Sequence, residues 1–297
     1  MSIICPEYCS RFKCIADKCQ HSCCVGWEID IDPASLERYT NESGALGDRL
    51  RANIDKTAVG ASFRLTDSER CPFLNSRNLC ELITAKGEWY ICNICTEHPR
   101  FYNEYETHTE MGLGMCCEEA ARIILSNDFN IDCSAFPERQ KIFDLLKDNS
   151  MTFAEKIHAI EAENEIEINC DPSYWADVLS QMEILDPQWK EYISLLNSQN
   201  QLILAENGEF QAEFERIALY LTYRWYNAME CANDNSLCEY YPDEVMGFIT
   251  ASLYIISTLF MAGEQSFQRL CEICRLFSSE IEYSDRNPID LLEAVFE

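Results

Sequence analysis

Cysteine placement is the feature of this sequence that most constrains its fold. The chain has 297 residues and eighteen cysteines, and twelve of these lie within the first 117 residues. Thiols stay reduced in the cytosol, so such a density indicates metal binding or redox chemistry before it indicates disulfides. No apolar stretch follows basic residues at the amino terminus, so we expect a cytoplasmic protein and not a secreted disulfide scaffold.

Spacing divides the early cysteines into four groups. A Cys-x2-Cys pair such as Cys92 and Cys95 lets two thiolates from one turn reach the same metal, as zinc and iron–sulfur sites both require. Neighbours such as Cys23 and Cys24 point in different directions on most backbones, so we do not expect both to bind one ion. Spacing alone leaves zinc and an iron–sulfur cluster open. The groups are Cys14, Cys19, Cys23 and Cys24; Cys71 and Cys80; Cys92 and Cys95; and Cys116 and Cys117.

The predicted fold class is mainly α, in two parts. Residues 1–133 are predicted to form an irregular cysteine-rich metal-binding domain with short helices and little strand, including a strand over 26–32 and a helix over 33–40. Residues 134–297 are predicted to form an acidic α-helical bundle, because apolar residues there recur at helical spacing. The predicted helices cover 137–148, 152–164, 173–183, 187–205, 209–229 and 264–283. The six later cysteines are interpreted as small buried apolar residues.

One segment requires comparison with a membrane span. Residues 245–263 are nineteen residues without a charge, long enough to approach a bilayer core of roughly 30 Å at about 1.5 Å per residue. The segment contains hydroxyl residues, and acidic residues flank it where a membrane helix favours lysine and arginine. We therefore expect a buried core helix and no membrane insertion.

The charge distribution limits the possible partners. Residues 1–133 hold 13 Lys and Arg against 21 Asp and Glu, net −8, and the whole chain carries −28. A chain this acidic repels phosphate backbones, so we expect no nucleic-acid partner. A basic protein or peptide would be attracted, and the alternative is an acidic surface that serves solubility alone.

These cysteines and their companions resemble the flagellin lysine-N-methylase family, whose cysteine-rich part is related to zinc- or iron-chelating proteins. The resemblance continues in ALYLTYRWYN (218–227) and LFSSEIEYSDRN (276–287) and so covers nearly the whole chain. The early positions that carry it are Phe12, Cys14, Cys19, Cys23, Cys24, Gly26, Trp27, Ile29, Ile31, Asp32, CPFL (71–74), Leu79, Cys80, Gly87, Glu88, Cys92, Cys95, Pro99, Arg100 and CCEEAAR (116–122).

The resemblance implies transfer of a methyl group from S-adenosyl-L-methionine to lysine amines of flagellin, with a [4Fe-4S] cluster as cofactor, and it favours iron–sulfur over zinc. The sequence departs from the family pattern where Phe277, Ser279 and Tyr283 replace Tyr, Lys and His, and Cys117 stands where proline is usual. If any of the first three had a direct chemical role, this protein would lack it. The implied metal ligands are Cys14, Cys19, Cys23, Cys24, Cys71, Cys80, Cys92, Cys95 and Cys116.

Methylation of lysine requires a neutral amine, because the ammonium has no lone pair and an ordinary lysine pKa lies near about 10.4. Glu280, Glu282 and Tyr283 are the candidates for binding the lysine or accepting its proton, and the alternative is a solvated helix face. Arg100 is the candidate for binding a cofactor carboxylate or a cluster sulfide, and the alternative is an ordinary ion pair. A second function remains open: a non-catalytic zinc- or iron-binding module that recognises a basic protein partner through its acidic helices.

Overall fold

The computed structural model describes residues 2–58, 60–205, 208–233 and 236–297. It is 52% helical, so the mainly α fold class is confirmed. The described part of the chain contains thirteen α-helices: α1 (Pro33–Asn41), α2 (Gly44–Ala52), α3 (Glu81–Lys86), α4 (Asn93–Glu97), α5 (Glu118–Ser126), α6 (Pro137–Leu146), α7 (Phe153–Glu163), α8 (Pro172–Gln181), α9 (Trp189–Asn197), α10 (Gln211–Trp225), α11 (Pro242–Met261), α12 (Phe267–Phe277) and α13 (Asn287–Glu293).

The strands are few and short, as expected. A three-stranded sheet has the order β1-β5-β4, and β1 pairs with β5 in parallel, with Ser2 opposite His108. A second sheet pairs β2 with β3 antiparallel. The strands are β1 (Ser2–Ile4), β2 (Ile54–Lys56), β3 (Ala61–Phe63), β4 (Arg100–Glu104) and β5 (His108–Leu113).

The chain packs as two compact units whose bounds differ from the predicted ones. One unit is Lys13–Arg100, called the cysteine-rich unit below, and the other, the helical unit, combines Met1–Phe12 with Phe101–Glu297. The difference arises because α5 is amphipathic and buries Ala120, Ala121 and Ile124 in the core of the helical unit. The predicted division of function at 133/134 stays a prediction.

Two long helices form the centre of the helical unit. The predicted apolar face of α10 is confirmed, since Phe214, Ile217 and Leu221 are buried. Helix α11 is the one helix among the described residues that is long and apolar enough to cross a membrane, yet 89% of its most apolar window is buried. Its residues 245–260 all lie in the interior, so the expected core helix is confirmed.

Helix ends follow local chemistry. Asp32 caps α1 by accepting a hydrogen bond from the Ser35 amide at 2.9 Å, and Pro33 follows at a position where proline is favoured. The helix predicted over 187–205 ends at Asn197, because the following polar run SQNQ has low helix propensity. The helix predicted over 264–283 is divided: α12 ends at Phe277 and continues as a π-helical turn, Ser278–Glu282.

The expected strand over 26–32 is wrong in detail. The segment is extended and exchanges backbone hydrogen bonds with β3, from Ile31 N to Ala61 O at 2.7 Å and from Phe63 N to Ile29 O at 3.0 Å. Because β3 has only three residues, this pairing amounts to one isolated bridge at Asp30. The segment therefore closes the small core of the cysteine-rich unit without forming a strand.

Candidate functional site

Five cysteines of the cysteine-rich unit gather in one region, which we call the thiol cluster: Cys24, Cys71, Cys80, Cys92 and Cys95. The Cys92 and Cys95 sulfurs lie 3.5 Å apart. The pKa of Cys71 is raised to about 12, mainly by burial and to a smaller extent by the Cys24, Cys80 and Cys92 thiols. Each of the five thiols therefore lies within electrostatic range of at least three of the others, in an arrangement that a cation would stabilise.

Short backbone turns bring the thiol cluster together. Cys92 occupies the N-cap of α4, so Cys95 falls within the first turn and its sulfur returns towards that of Cys92. Cys71 and Cys80 end a tight loop closed by a bridge between Leu74 and Cys80. The Cys71 amide donates to the Cys24 carbonyl at 2.8 Å, which joins the amino-terminal cysteines to this loop.

The other predicted ligands are not members of the thiol cluster, although Cys23 contacts its member Cys24. Cys14 and Cys23 are exposed, and Cys19 is half-buried with its sulfur 3.3 Å from the His21 carbonyl oxygen. The Cys23 thiol lowers the pKa of Cys24 to about 7 through a hydrogen bond. Cys116 belongs to the helical unit, where burial raises its pKa to about 12.

The thiol cluster fits metal chemistry in its donor set. Two thiolates on one tetrahedral ion with metal–sulfur bonds of about 2.3 Å stand about 3.8 Å apart, close to the Cys92–Cys95 separation of 3.5 Å. The four thiolates of a [4Fe-4S] cluster bind four different irons and so stand further apart. Over residues 2–58, 60–205, 208–233 and 236–297, no three His, Cys, Asp or Glu side chains converge on one point that could hold an ion. Binding of either metal would therefore require rotation of some thiols.

Arg100 lies at the end of the same unit. Its guanidinium donates to the Thr96 carbonyl at 3.1 Å and to the Glu97 carbonyl at 3.4 Å, the last carbonyls of α4. These contacts hold the helix that carries Cys95. A role of Arg100 in binding a cofactor stays a prediction.

A second polar group lies in the core of the helical unit, around Arg224 of α10. Its guanidinium donates to the Tyr220 hydroxyl and to the Glu282 carbonyl, both at 3.0 Å, and Nε lies 3.4 Å from a Glu282 carboxylate oxygen. That carboxylate also accepts from the Tyr220 hydroxyl at 2.9 Å and from the Trp225 indole at 2.8 Å. Burial opposes the charge of Arg224, but Glu282, Tyr220 and Tyr283 together outweigh this effect and raise the pKa of Arg224. We call Arg224, Glu282, Tyr220 and Trp225 the Arg224 cluster.

The π-helical turn supplies two of the three predicted catalytic residues, Glu280 and Glu282, and the third, Tyr283, follows it directly. Glu280 and Glu282 are 0% and 5% exposed, so the alternative of a solvated helix face is wrong. Both oxygens of Glu280 accept from backbone amides, Leu185 at 2.9 Å and Asp186 at 2.6 Å. Burial raises the pKa of Glu280 to about 6. Such turns often occur at functional sites, because the extra residue redirects neighbouring side chains.

Tyr283 follows this turn and lies against the Arg224 cluster. The Arg224 guanidinium carbon is 4.7 Å from the centre of its ring, and burial raises its pKa, with a further contribution from the Cys116 thiol. A Cβ at Gly114 would stand 2.0 Å from the Tyr283 hydroxyl, so only glycine leaves room for this ring. Tyr283 and Cys116 thus form one buried contact within the helical unit.

A cavity of about 160 Å³ opens beside the Arg224 cluster. Arg224 and Glu282 are its charged lining residues, Trp225 also lines it, and β4 contributes Phe101 and Asn103. The loop that follows α10 contributes Asn233 and Ser236. The predicted Glu282 thus lines a cavity together with Arg224, which the sequence reasoning did not select as a site residue, although the motif ALYLTYRWYN contains it.

Sequence comparison finds relatives of named function. The chain is 22% identical over 160 residues to the lysine-N-methylase of Salmonella typhimurium, which is 47% of this chain and 40% of that protein. It is 23% identical over 128 residues to the flagellar biosynthetic protein FliU of Salmonella muenchen, 41% of this chain and 76% of FliU. The lysine-N-methylase of Salmonella choleraesuis is 22% identical over 160 residues. No protein-family model and no solved structure matches the chain.

The fold and sites define a mainly α protein with a gathered set of cysteines and a separate buried ionic cavity. The relatives confirm the predicted resemblance to the lysine-N-methylases, at low identity and over about half of this chain. The matched region spans 40% of the length of each lysine-N-methylase. The names of these relatives describe a lysine methylase and a protein of flagellar biosynthesis.

Proposed function

We propose that this chain is a cytoplasmic, S-adenosyl-L-methionine-dependent protein lysine N-methyltransferase that acts on flagellin and uses a cysteine-bound [4Fe-4S] cluster. The observation that carries the proposal is the thiol cluster. Its five cysteines are separated by as many as 71 positions in the sequence, yet they meet in one small unit, and all five belong to the pattern shared with the lysine-N-methylases.

The thiol cluster would hold the metal. Cys71, Cys80, Cys92 and Cys95 would serve as ligands together with Cys24, and Cys14, Cys19, Cys23 and Cys116 remain candidates. A bound cluster would join three separate turns of the cysteine-rich unit and would supply iron, which in a cluster with an open ligand position acts as a Lewis acid.

The methyl transfer itself needs little from the protein beyond binding and proton removal. The lysine nitrogen forms a bond to the methyl carbon, the bond from that carbon to the sulfonium sulfur breaks, and S-adenosylhomocysteine leaves as a neutral thioether. The amine must lose one proton, and Glu280, whose pKa burial raises to about 6, is the candidate acceptor. Tyr283 would position the reacting groups from its place beside Arg224, and Glu282 would bind a charged group from the wall of the cavity that it lines.

The acidic composition supports a lysine-rich substrate. With a formal net charge of −28, the surface attracts basic segments of a partner protein and accelerates their encounter. Salt should therefore weaken substrate capture, since interactions beyond a Debye length of about 8 Å are screened at physiological ionic strength.

The test starts with protein purified without oxygen. We expect about four irons and four sulfides per chain, as a [4Fe-4S] cluster requires, and a brown chromophore that air bleaches. Labelled S-adenosyl-L-methionine should then transfer its methyl group to flagellin lysines. The double variant Cys92→Ser, Cys95→Ser should lose both properties, and Cys170→Ser, at an exposed cysteine outside the thiol cluster, should keep them.

One observation favours the second function. The 3.5 Å between Cys92 and Cys95 suits two thiolates on a single ion better than two corners of a cluster. A colourless protein with stoichiometric zinc and no methyl transfer to flagellin would contradict the enzyme and support a zinc-binding module that recognises a basic partner.

A further inference from the structure

The cavity beside the Arg224 cluster carries charges of both signs on one wall. Arg224 and Glu282 both line it, and both are almost completely buried. A lone cation, such as a lysine side chain, would meet the arginine charge, and a lone carboxylate would meet the glutamate charge. A group with a positive and a negative charge two or three bonds apart satisfies both residues at once.

We propose that this cavity binds the α-amino-acid end of a ligand, with the α-carboxylate on Arg224 and the α-ammonium on Glu282, and that the ligand is S-adenosyl-L-methionine. The identity of the ligand rests on the proposed function, whereas the chemistry of the site rests on the cavity. The assignment places the amino-acid end of the methyl donor on protein side chains of the helical unit.

The hydrogen-bonding capacity of Arg224 supports this assignment. Nη1 donates to Tyr220 and Nη2 donates to the Glu282 carbonyl. Each of these nitrogens carries two N–H groups, so each has a second donor with which a carboxylate could form a paired contact. The Glu282 carboxylate accepts from Tyr220 and Trp225, and its two oxygens together have about four acceptor sites.

The guanidinium is held in place before any ligand arrives. Its carbon lies 4.7 Å from the centre of the Phe101 ring and 5.0 Å from that of the Trp225 ring. Stacking on both rings fixes the plane of the guanidinium group, so little rotational freedom is lost when a carboxylate binds. Because the charge of Arg224 is already balanced by Glu282, an amino-acid end that is neutral overall enters without leaving an unpaired charge in the cavity.

The cavity size sets the part of the ligand that fits. A cavity of about 150 Å³ holds benzene, a molecule with six heavy atoms. The cavity of about 160 Å³ is therefore suited to an aminocarboxypropyl group and too small for the adenosine, since sites for drug-sized ligands occupy about 300–1,000 Å³. The nucleoside would extend beyond the residues that line the cavity.

Calorimetry on the full chain, purified without oxygen, tests the site with defined probes. S-adenosyl-L-methionine and S-adenosylhomocysteine should bind, and decarboxylated S-adenosyl-L-methionine should bind at least about tenfold more weakly, because one bidentate contact is worth more than about 1.4 kcal/mol. Free L-methionine distinguishes a site for any α-amino acid from one that needs the nucleoside.

Two variants locate the binding. Ser236→Leu places a larger apolar side chain at a half-buried residue that lines the cavity and should abolish binding of every probe with an α-amino-acid end, while Ser198→Leu, at an exposed serine of the same unit, should bind as the wild type does. Arg224→Lys keeps the positive charge and removes the planar pair of N–H donors. It should therefore reduce the preference for S-adenosyl-L-methionine over its decarboxylated form.

The outcomes separate the site from the methyl donor. Equal binding of the carboxylated and decarboxylated probes, or unchanged binding to Ser236→Leu, would overturn the site while leaving the methyltransferase proposal intact. Binding of L-methionine that Ser236→Leu abolishes, without binding of S-adenosyl-L-methionine, would support the site and remove the methyl donor. No binding of any probe to the wild type would overturn both.

Discussion

The two compact units bury polar groups in opposite ways. In the helical unit, buried charged side chains pair with one another. Arg139 and Glu110, both fully buried, form a bidentate ion pair, and Arg224 lies beside Glu282. The cysteine-rich unit instead gathers five thiols: burial raises the pKa of Cys71, and the hydrogen bond with Cys92 raises that of Cys95, so the thiolate form of both is disfavoured. Paired charges are typical of a protein interior that is stable without a ligand. Gathered thiols are typical of a site that a bound cation stabilises.

The apolar cores differ in the same direction. The core of Lys13–Arg100 contains twelve buried apolar residues among those described, two of which are Cys71 and Cys92, whereas the core of the helical unit contains fifty-seven. A unit of this size buries too little apolar surface to have a large stability margin, and metals or disulfides commonly supply the remainder. We therefore expect metal binding to stabilise one unit and to be irrelevant to the folding of the other.

Removing two predicted metal ligands should produce the largest difference in stability between the two units. The double variant Cys92→Ser, Cys95→Ser should lose its metal and become at least about tenfold more susceptible to limited proteolysis within 13–100, since structural metals contribute many kcal/mol to folding. The helical unit should keep its resistance. Mass spectrometry of the fragments measures both, and equal susceptibility of the two units would contradict the expectation.

Breaking the ion pair should affect the other unit. Arg139→Met leaves the Glu110 carboxylate buried without its partner and should lower the free energy of unfolding by about 3–5 kcal/mol. The double variant Glu110→Leu, Arg139→Met should recover part of that loss, because it leaves no unpaired charge. Urea unfolding followed by circular dichroism measures all three proteins, and a single variant as stable as the wild type would show that the pair contributes nothing.

The pH dependence of stability should reveal the buried carboxylate of Glu280. Burial raises the pKa of Glu280 from about 4.5 when unfolded to about 6, so its contribution to stability is present below about pH 4.5 and is lost as the pH rises through about 6. The stability of the wild type relative to Glu280→Gln should therefore fall by up to about 2 kcal/mol across that interval. Urea unfolding of both proteins at pH 4 to 7 gives the difference, which should be constant if the carboxylate titrates normally.

The sequence predicted these regions unequally. Helical spacing located α10 well, because one buried face repeats every 3.6 residues, and an uncharged apolar run located α11. The cysteine pattern identified all members of the thiol cluster but could not separate them from Cys116, since spacing in the sequence does not reveal which unit a residue joins. The interpretation of Cys170 as buried is wrong, because that cysteine is exposed, whereas Cys271 and Cys274 are buried as expected.

The Arg224 site was the hardest to predict. Arg224 lies on a helix whose apolar residues explain its pattern, and an arginine in such a position is ordinarily interpreted as a surface residue. Its burial depends on Glu282, 58 positions further along the chain, and on the π-helical turn that moves this carboxylate inward. No local rule predicts that turn, because it arises from packing against residues distant in the sequence.

The smallest expected effect concerns how the cysteine-rich unit is ordered before any metal binds. One Asp32 oxygen accepts from the Ser35 amide and the other from the Asn93 amide, both at 2.9 Å, so this side chain joins α1 to the residue next to Cys92. Asp32→Ala should destabilise α1 by about 1 kcal/mol, the usual value of an N-cap, and increase hydrogen exchange in residues 33–41 about fivefold. Asp32→Asn retains one acceptor and should have a smaller effect. If metal binding removes the difference between the two variants, the metal determines the order of this unit; if the difference persists, the side chain organises the thiol cluster independently of the metal.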